Sequence, residues 1–459
     1  MIQPVDMDEK GTATACRVHD MIHDLIISLS AEENFVTVSE GRQVISSVCK
    51  VRRLSLQRSK RDSDENDTGE EKVILQSTVN ISHVRSIIAF VDGLLWISPL
   101  SRFSALRVLS LRSFPRKNNH PKGLSSLHHM RYLQLRGFFE KEFIEEIGNL
   151  QHLKTLDLCD KDIKELPASI VQLRQLECLI VYATGVKFPD GIGNITSLQE
   201  LSWFSVKESP NALVELGKLT KLWELSIYGL GENESYVKTF LESLSNLRNI
   251  HTLKFSGLMQ CSLDYTSDQW KAPAHLQNID GSFSVFSELP RWFSYLSELS
   301  CLSIKVDALR QNDLQLLGDL PVLRFLKLNV SPKGSTEERL VIGTDQPFRS
   351  LTEFMFKHYT RCCLVFAPGA MRKLQRLKLY FEVKRREDGG FNTGLENLTS
   401  LKHVTVNVDC EGARFSVVQA FETMIKDAIG MHLNHPTLEL SRKFEEHMVG
   451  DDLGTPEGR

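Results

Sequence analysis

No apolar run in this sequence approaches the roughly 20 residues that a bilayer-spanning helix needs, which argues against a helical membrane span. The stretch Met1 to Lys10 has no basic start and no apolar core, so it does not read as a secretory signal. A surplus of positive charge is missing too: 55 lysines and arginines stand against 58 aspartates and glutamates, a net charge of -3. General nucleic-acid binding, which needs a basic field to neutralise phosphates, is therefore not expected. Nine cysteines are scattered from Cys16 to Cys410 without paired spacing. They read as reduced thiols of a cytoplasmic protein. A Gly-rich phosphate loop ending in Gly-Lys-Ser/Thr is absent, since Gly389-Gly390-Phe391-Asn392-Thr393-Gly394 lacks the lysine. His19 and His23 are four apart, but Asp20 stands where a zinc-protease helix has Glu and no third ligand is evident. No Ser/His/Asp or Cys/His set can be assembled. The expectation is a protein that is not an enzyme and uses no metal or cofactor.

What the sequence does have is a repeat. Leu153-xx-Leu156-x-Leu158 is followed by Ile163, Leu166-Pro167, Ile170 and Leu173, and the pattern restarts at Leu176 and again at Leu198, about 23 residues per copy. That period lies in the leucine-rich-repeat range. Each copy is one coil of a solenoid: a short strand turns its leucines inward and the remaining apolar positions bring the chain back. A single coil cannot bury its apolar side, so coils must stack. Further starts fall at Val51, Val84, Leu106, Met130, Leu222, Ile250, Leu276, Leu299, Leu323, Leu351, Leu374 and Leu401, with a weak last copy at Leu438-x-Leu440. Gly281, in the copy that starts at Leu276, is expected to kink the sheet. The expected fold class is α/β, a leucine-rich-repeat solenoid (horseshoe).

Ahead of the repeats, residues around Glu9-Lys10-Gly11 suggest a hairpin, and Cys16 to Leu29 suggests an amphipathic helix with Val18, Met21, Ile22, Leu25, Ile26 and Leu29 on one face. The stretch Arg58 to Glu71 is charged and nearly free of apolar residues, and reads as a solvated insertion between coils.

The run Arg17-Val18-His19-Asp20-Met21-Ile22-His23-Asp24-Leu25, ahead of Leu-Asp-Leu repeats with Leu166-Pro167, resembles plant intracellular immune receptors of the nucleotide-binding, leucine-rich-repeat type, in their coiled-coil branch. It looks like that family's Met-His-Asp motif with Val18 in the first place. The resemblance implies that His19 and Asp20 would contact a bound adenine nucleotide in a full-length receptor, as part of a winged-helix lobe. Without the phosphate loop, ATP binding by this chain alone is not expected. The chain is then the C-terminal portion of such a receptor. The domains this implies are 1–45, a short N-terminal helical remnant of the winged-helix lobe; 46–440, the leucine-rich-repeat domain; and 441–459, a flexible tail. The implied role is protein recognition and autoregulation in defence against pathogens. The partners would be a pathogen effector or host target, and the nucleotide-binding module of the same receptor. An intracellular scaffold or ligase adaptor unrelated to immunity is the alternative.

Candidate partner contacts come from the residues that the template leaves on the inner face. Tyr182, Phe204 and Tyr228 follow the third apolar place in successive coils, and Trp223 holds the second place of its strand. These rings are expected to form one exposed ridge. Beyond them Lys305, Lys327, Lys357 and Lys378 are expected to form a charged row, acting by long-range attraction or standing simply as a solvated face.

Overall fold

The structure is a computed structural model that describes residues 2–7, 13–33, 35–40, 51–57, 81–90, 99–112, 122–137, 139–160, 162–231, 233–256, 270–331, 339–345, 348–358, 363–383 and 393–450. The expected insertion at 58–71 lies outside them. Two compact units are formed, residues 1–225 and 226–459.

In the first unit, β1 (Ile2–Met7) and β2 (Ala13–Val18) make the expected antiparallel hairpin. α1 follows at Asp20–Glu32. A helix starting at Cys16 is thereby corrected. Cys16, Arg17 and Val18 pair with Pro4, Gln3 and Ile2, and backbone groups committed across a hairpin cannot also close helical bonds. The apolar face of α1 is present but open: Met21 is 75% exposed, and Leu25, Ile26 and Leu29 are exposed as well.

Eight parallel strands come next, each paired with the following one. They are β3 (Thr37–Glu40), β4 (Arg53–Gln57), β5 (Ser86–Ala89), β6 (Val108–Arg112), β7 (Tyr132–Arg136), β8 (Thr155–Cys159), β9 (Cys178–Val181) and β10 (Glu200–Ser205). Because β3 pairs with β4, the sheet begins ahead of the expected boundary at residue 46. The stacking follows from the template. Leu109, Leu133, Leu156 and Leu179 face one another in register and are fully buried, and Leu111, Leu135, Leu158 and Val181 form a second such ladder. Burying each of these side chains stabilises by about 1.5–3 kcal/mol, and only neighbouring coils supply the cover.

The second unit repeats the plan. β11 (Glu224–Tyr228) spans the division between the units. In-order parallel pairing then joins β12 (Thr252–Ser256), β13 (Asn278–Phe286), β14 (Cys301–Val306) and β15 (Phe325–Val330). β16 (Arg339–Ile342) and β18 (Cys363–Phe366) make a separate two-stranded parallel sheet. The main ladder continues through β17 (Glu353–His358), β19 (Arg376–Glu382), β20 (His403–Asp409) and β21 (Thr437–Lys443). The kink expected at Gly281 is a register break between Gly281 and Val285, which leaves Phe283 81% exposed.

The last coil is closed by α2 (Phe415–Gly430), whose Val418, Phe421, Ile425 and Ile429 are buried. A free tail from residue 441 is corrected as far as residue 450. β21 runs to Lys443, Gly412 N–H donates to the His447 carbonyl at 2.9 Å, and Val449 N–H donates to the Ala413 carbonyl at 2.9 Å.

Gly394 is needed on two counts. Its φ is +69°, and a Cβ there would lie 2.1 Å from the Phe366 carbonyl oxygen of β18. Gly394→Ala is expected to lower stability by about 1–3 kcal/mol, read as a lower urea midpoint. An unchanged midpoint would show that this turn does not press on β18.

Candidate functional site

In β4 to β9 the fifth and seventh places of the template alternate with the buried ladders and stand on the opposite face, and the second place lies just ahead of each strand. The first unit carries its aromatic and cationic residues at these places.

Tyr182, at a seventh place, is exposed, and its ring centroid lies 6.4 Å from that of Trp203. The expected neighbour, Phe204, is not in the ridge. It is 0% exposed and packs 4.9 Å from Phe188. The reason is a break in the backbone alternation of β10. Glu200, Leu201 and Ser202 pair with Cys178, Leu179 and Ile180, and Trp203 then takes φ +63°. With that left-handed residue the in–out alternation breaks: Trp203 is half-buried and Phe204 lies in the core. Trp223 is exposed, but it stands at a second place, just ahead of β11, with its backbone N–H on the Gln199 carbonyl at 2.8 Å. Tyr228 belongs to the second unit and is half-buried. Of the four expected rings, Tyr182 and Trp223 are therefore open in the first unit, and the partner that Tyr182 meets is Trp203.

Reasoning from the third apolar place missed the second-place row of the first unit. Arg52, Arg85, Arg107, Arg131 and Lys154 follow five consecutive coil starts, and each backbone N–H donates to the carbonyl of the one before at 2.7–2.9 Å. The signal was legible in Val51-Arg52, Val84-Arg85, Leu106-Arg107, Met130-Arg131 and Leu153-Lys154. Lys154 is paired with Glu177 at 2.6 Å, whereas no carboxylate pairs with the four exposed guanidiniums among the described residues. Strands about 4.8 Å apart hold these like charges side by side, so the row does not help folding. Its field is directed at solvent and at whatever docks there.

A polar ladder crosses the fifth places. Ser110 Oγ donates to Gln134 Oε1 at 2.7 Å, and Gln134 Nε2 donates to Asp157 Oδ2 at 2.5 Å. Two seventh-place arginines lean on it: Arg112 Nε donates to Gln134 Oε1 at 3.1 Å, and Arg136 Nη2 to Asp157 Oδ2 at 3.3 Å. Each guanidinium also lies over a ring, Arg112 5.3 Å from the Phe90 centroid and Arg136 5.8 Å from that of Tyr182. Asp157 is only 5% exposed, yet its Oδ1 has no hydrogen-bond partner, and neither has Arg136 Nε. Burial pushes the nearby Tyr132 phenol up, and the Asp157 charge adds to the shift.

The lysines expected as one row occupy two in the second unit. Lys305, Asn329, Lys357 and Tyr380 share one register line, and Lys327, Met355 and Lys378 share another. All four lysines are half-buried. Lys357 and Lys378 lie 5.2 and 5.6 Å from the Tyr380 ring centroid, joined by Lys443 at 5.6 Å. Tyr380 and Lys443 were not anticipated, because their pairing depends on the register of β19 against β20 and β21.

His19 and Asp20 are both exposed at the start of α1, where Met21 N–H donates to His19 Nδ1 at 3.4 Å. Among the described residues, no group of three or more His, Cys, Asp or Glu side chains is placed to hold a metal ion. No described helix is long and apolar enough to cross a membrane.

Comparison with known proteins gives three findings. A family model described as "Leucine-rich repeat region" matches residues 83–438. Disease resistance protein RGA5 of Oryza sativa subsp. japonica is 29% identical over 454 residues, covering 94% of this chain and 39% of that protein. Disease resistance protein Pik-2 of the same subspecies is 26% identical, covering 74% of this chain and 36% of that protein. The chain thus spans well under half the length of these curated relatives. Among solved structures, a leucine-rich-repeat protein of Leptospira interrogans superposes with a TM-score of 0.49 at 14% identity, covering 80% of this chain and 92% of that one.

Proposed function

The chain belongs to the leucine-rich repeat region family, and from that premise we propose that it is the protein-recognition region of a plant disease resistance receptor. Its relatives RGA5 and Pik-2 are named as disease resistance proteins. The observation that carries the reading is the exposed Tyr182 with the half-buried Trp203 beside it in the first unit, and the arginine row ahead of the same strands, whose guanidiniums pair with no carboxylate among the described residues. Open aromatic rings gain by being covered, and Trp, Tyr and Arg dominate the anchors of protein interfaces. The role is binding rather than catalysis, in the cytoplasm.

Two partners fit two surfaces. A pathogen effector or host target would cover the aromatic pair. The nucleotide-binding module of the same receptor would cover the open apolar face of α1, whose exposed Met21, Leu25 and Leu29 match a helix made to be packed on. An intracellular scaffold or adaptor would use the same surfaces without a defence readout.

The test uses the receptor in leaf tissue, with cell death on effector co-expression as the readout. Tyr182→Ala and Trp203→Ala, each folded, are expected to abolish the response by weakening binding by about 2 kcal/mol or more. Folded variants that respond as wild type would remove the aromatic pair from recognition.

A further inference from the structure

The ladder from Ser110 to Asp157 does more than fill the strand face. Within it, Arg112 and Arg136 stand in register on adjacent strands about 4.8 Å apart, and one buried carboxylate, Asp157, lies on the strand beyond Arg136. Arg112 is tied inward by Gln134 and outward by Phe90; Arg136 is tied inward by Asp157 and outward by Tyr182. Gln134 cannot flip its amide without losing Ser110, Arg112 and Asp157 together. Both cations are therefore pre-set, and little side-chain entropy remains to be lost when something binds them.

The charges do not balance. The ladder holds one carboxylate, Asp157, and two guanidiniums: Arg136 bonds Asp157, Arg112 bonds Gln134, and a single Asp157 oxygen receives both of its bonds. Each guanidinium carries five donors, of which the ladder uses one on each side. Arg136 Nε and Asp157 Oδ1 are buried without a partner, so what a ligand would meet is the remaining donors of the exposed Arg112 and the half-exposed Arg136.

We infer that Arg112 and Arg136 form a receptor site for one aspartate or glutamate side chain of a partner protein, with an apolar neighbour of that acid lying against Tyr182 and Trp203. This deepens the recognition reading, on which it rests, by naming the chemistry of the bound segment. A carboxylate fits because guanidinium forks bind it through paired hydrogen bonds and the site has one cation in surplus. The rings beside it account for the apolar neighbour.

The experiment selects random dodecapeptides displayed on phage against the immobilised whole chain, then measures synthetic peptides by fluorescence anisotropy. Recovered peptides are expected to carry Asp or Glu beside an aromatic or aliphatic residue. Changing that acid to its amide is expected to weaken binding to the wild-type chain about tenfold or more. On Arg112→Gln the acid and amide forms should bind alike within about threefold, and Arg112→Lys, which keeps the charge but loses the fork, should fall between. Arg112 is exposed, so this variant tests the site without opening the core, and its thermal midpoint serves as the control. Peptides that bind with no need for an acid but are lost on Trp203→Ala would overturn the carboxylate site and leave the recognition reading standing. An acid preference that survives Arg112→Gln and disappears on Arg85→Gln would overturn it too, by moving the acid to the second-place row. Failure to recover any peptide binding below 100 µM, a limit about 5.5 kcal/mol deep, would overturn both.

Discussion

Phe204→Ala is expected to cost about 3–5 kcal/mol of folding stability, while Trp203→Ala, one residue away, should stay within about 1 kcal/mol of wild type. Phe204 is fully buried and its ring lies 4.9 Å from that of Phe188, so truncation leaves a cavity that the neighbouring coils can close only in part. Trp203 has φ +63°, a conformation in which a bulky side chain is strained, and its ring is half-open. Removing that ring should spare the fold and damage recognition. Urea unfolding of the two variants separates the outcomes. If Trp203→Ala proved the more destabilising, the alternation of β10 would be unbroken and Phe204 would be the residue facing outward.

The same pair of residues shows what the sequence could and could not reveal. Coil spacing is carried by the recurring apolar places, so the starts at Leu153, Leu176 and Leu198 were legible without any knowledge of register. The side to which Trp203 and Phe204 point was not. Both residues are apolar, and counting places along the template assumes that the alternation is unbroken. The left-handed backbone at Trp203 breaks the in–out count without a glycine to mark it. The arginine row was legible, since a base follows each coil start from Val51 to Leu153, but it needed the second place to be read across coils. The ladder through Ser110, Gln134 and Asp157 could not be seen in one copy, because its bonds run between strands 22–24 residues apart in sequence. α1 illustrates a different limit. Periodicity gave its apolar face, yet periodicity is silent on whether that face is covered, and here it is open.

The largest electrostatic effect is expected at the end of the second unit. Arg442 pairs in register with Val408, so the final strand carries a charge where the preceding strand has an apolar residue. Its guanidinium makes a two-pronged bond to Glu422 of α2, Nε to Oε1 at 2.6 Å and Nη2 to Oε2 at 3.0 Å, and Nη1 reaches Glu445 at 2.7 Å. Glu422 is 6% exposed, so Arg442→Met would leave a buried carboxylate with little beyond the Lys426 ammonium 3.9 Å away. A loss of about 3 kcal/mol or more is expected, and adding Glu422→Leu should recover much of it, because the charge needing a partner is then gone. Acidity should act on the same pair. The hydrogen bond from Arg442 holds the Glu422 carboxyl below the usual carboxylate range. A carboxyl whose folded value is depressed contributes stability above its unfolded value, near about 4.3, and that contribution is lost as pH falls through the folded value. Hydrogen exchange of the α2 amides should therefore be unaffected by this group between pH 6 and 8, once corrected for intrinsic rates. It should accelerate below about pH 4 in the wild type and less steeply in Glu422→Gln. Equal acid slopes in the two proteins would show that the Arg442–Glu422 bond does not hold the last coil in place.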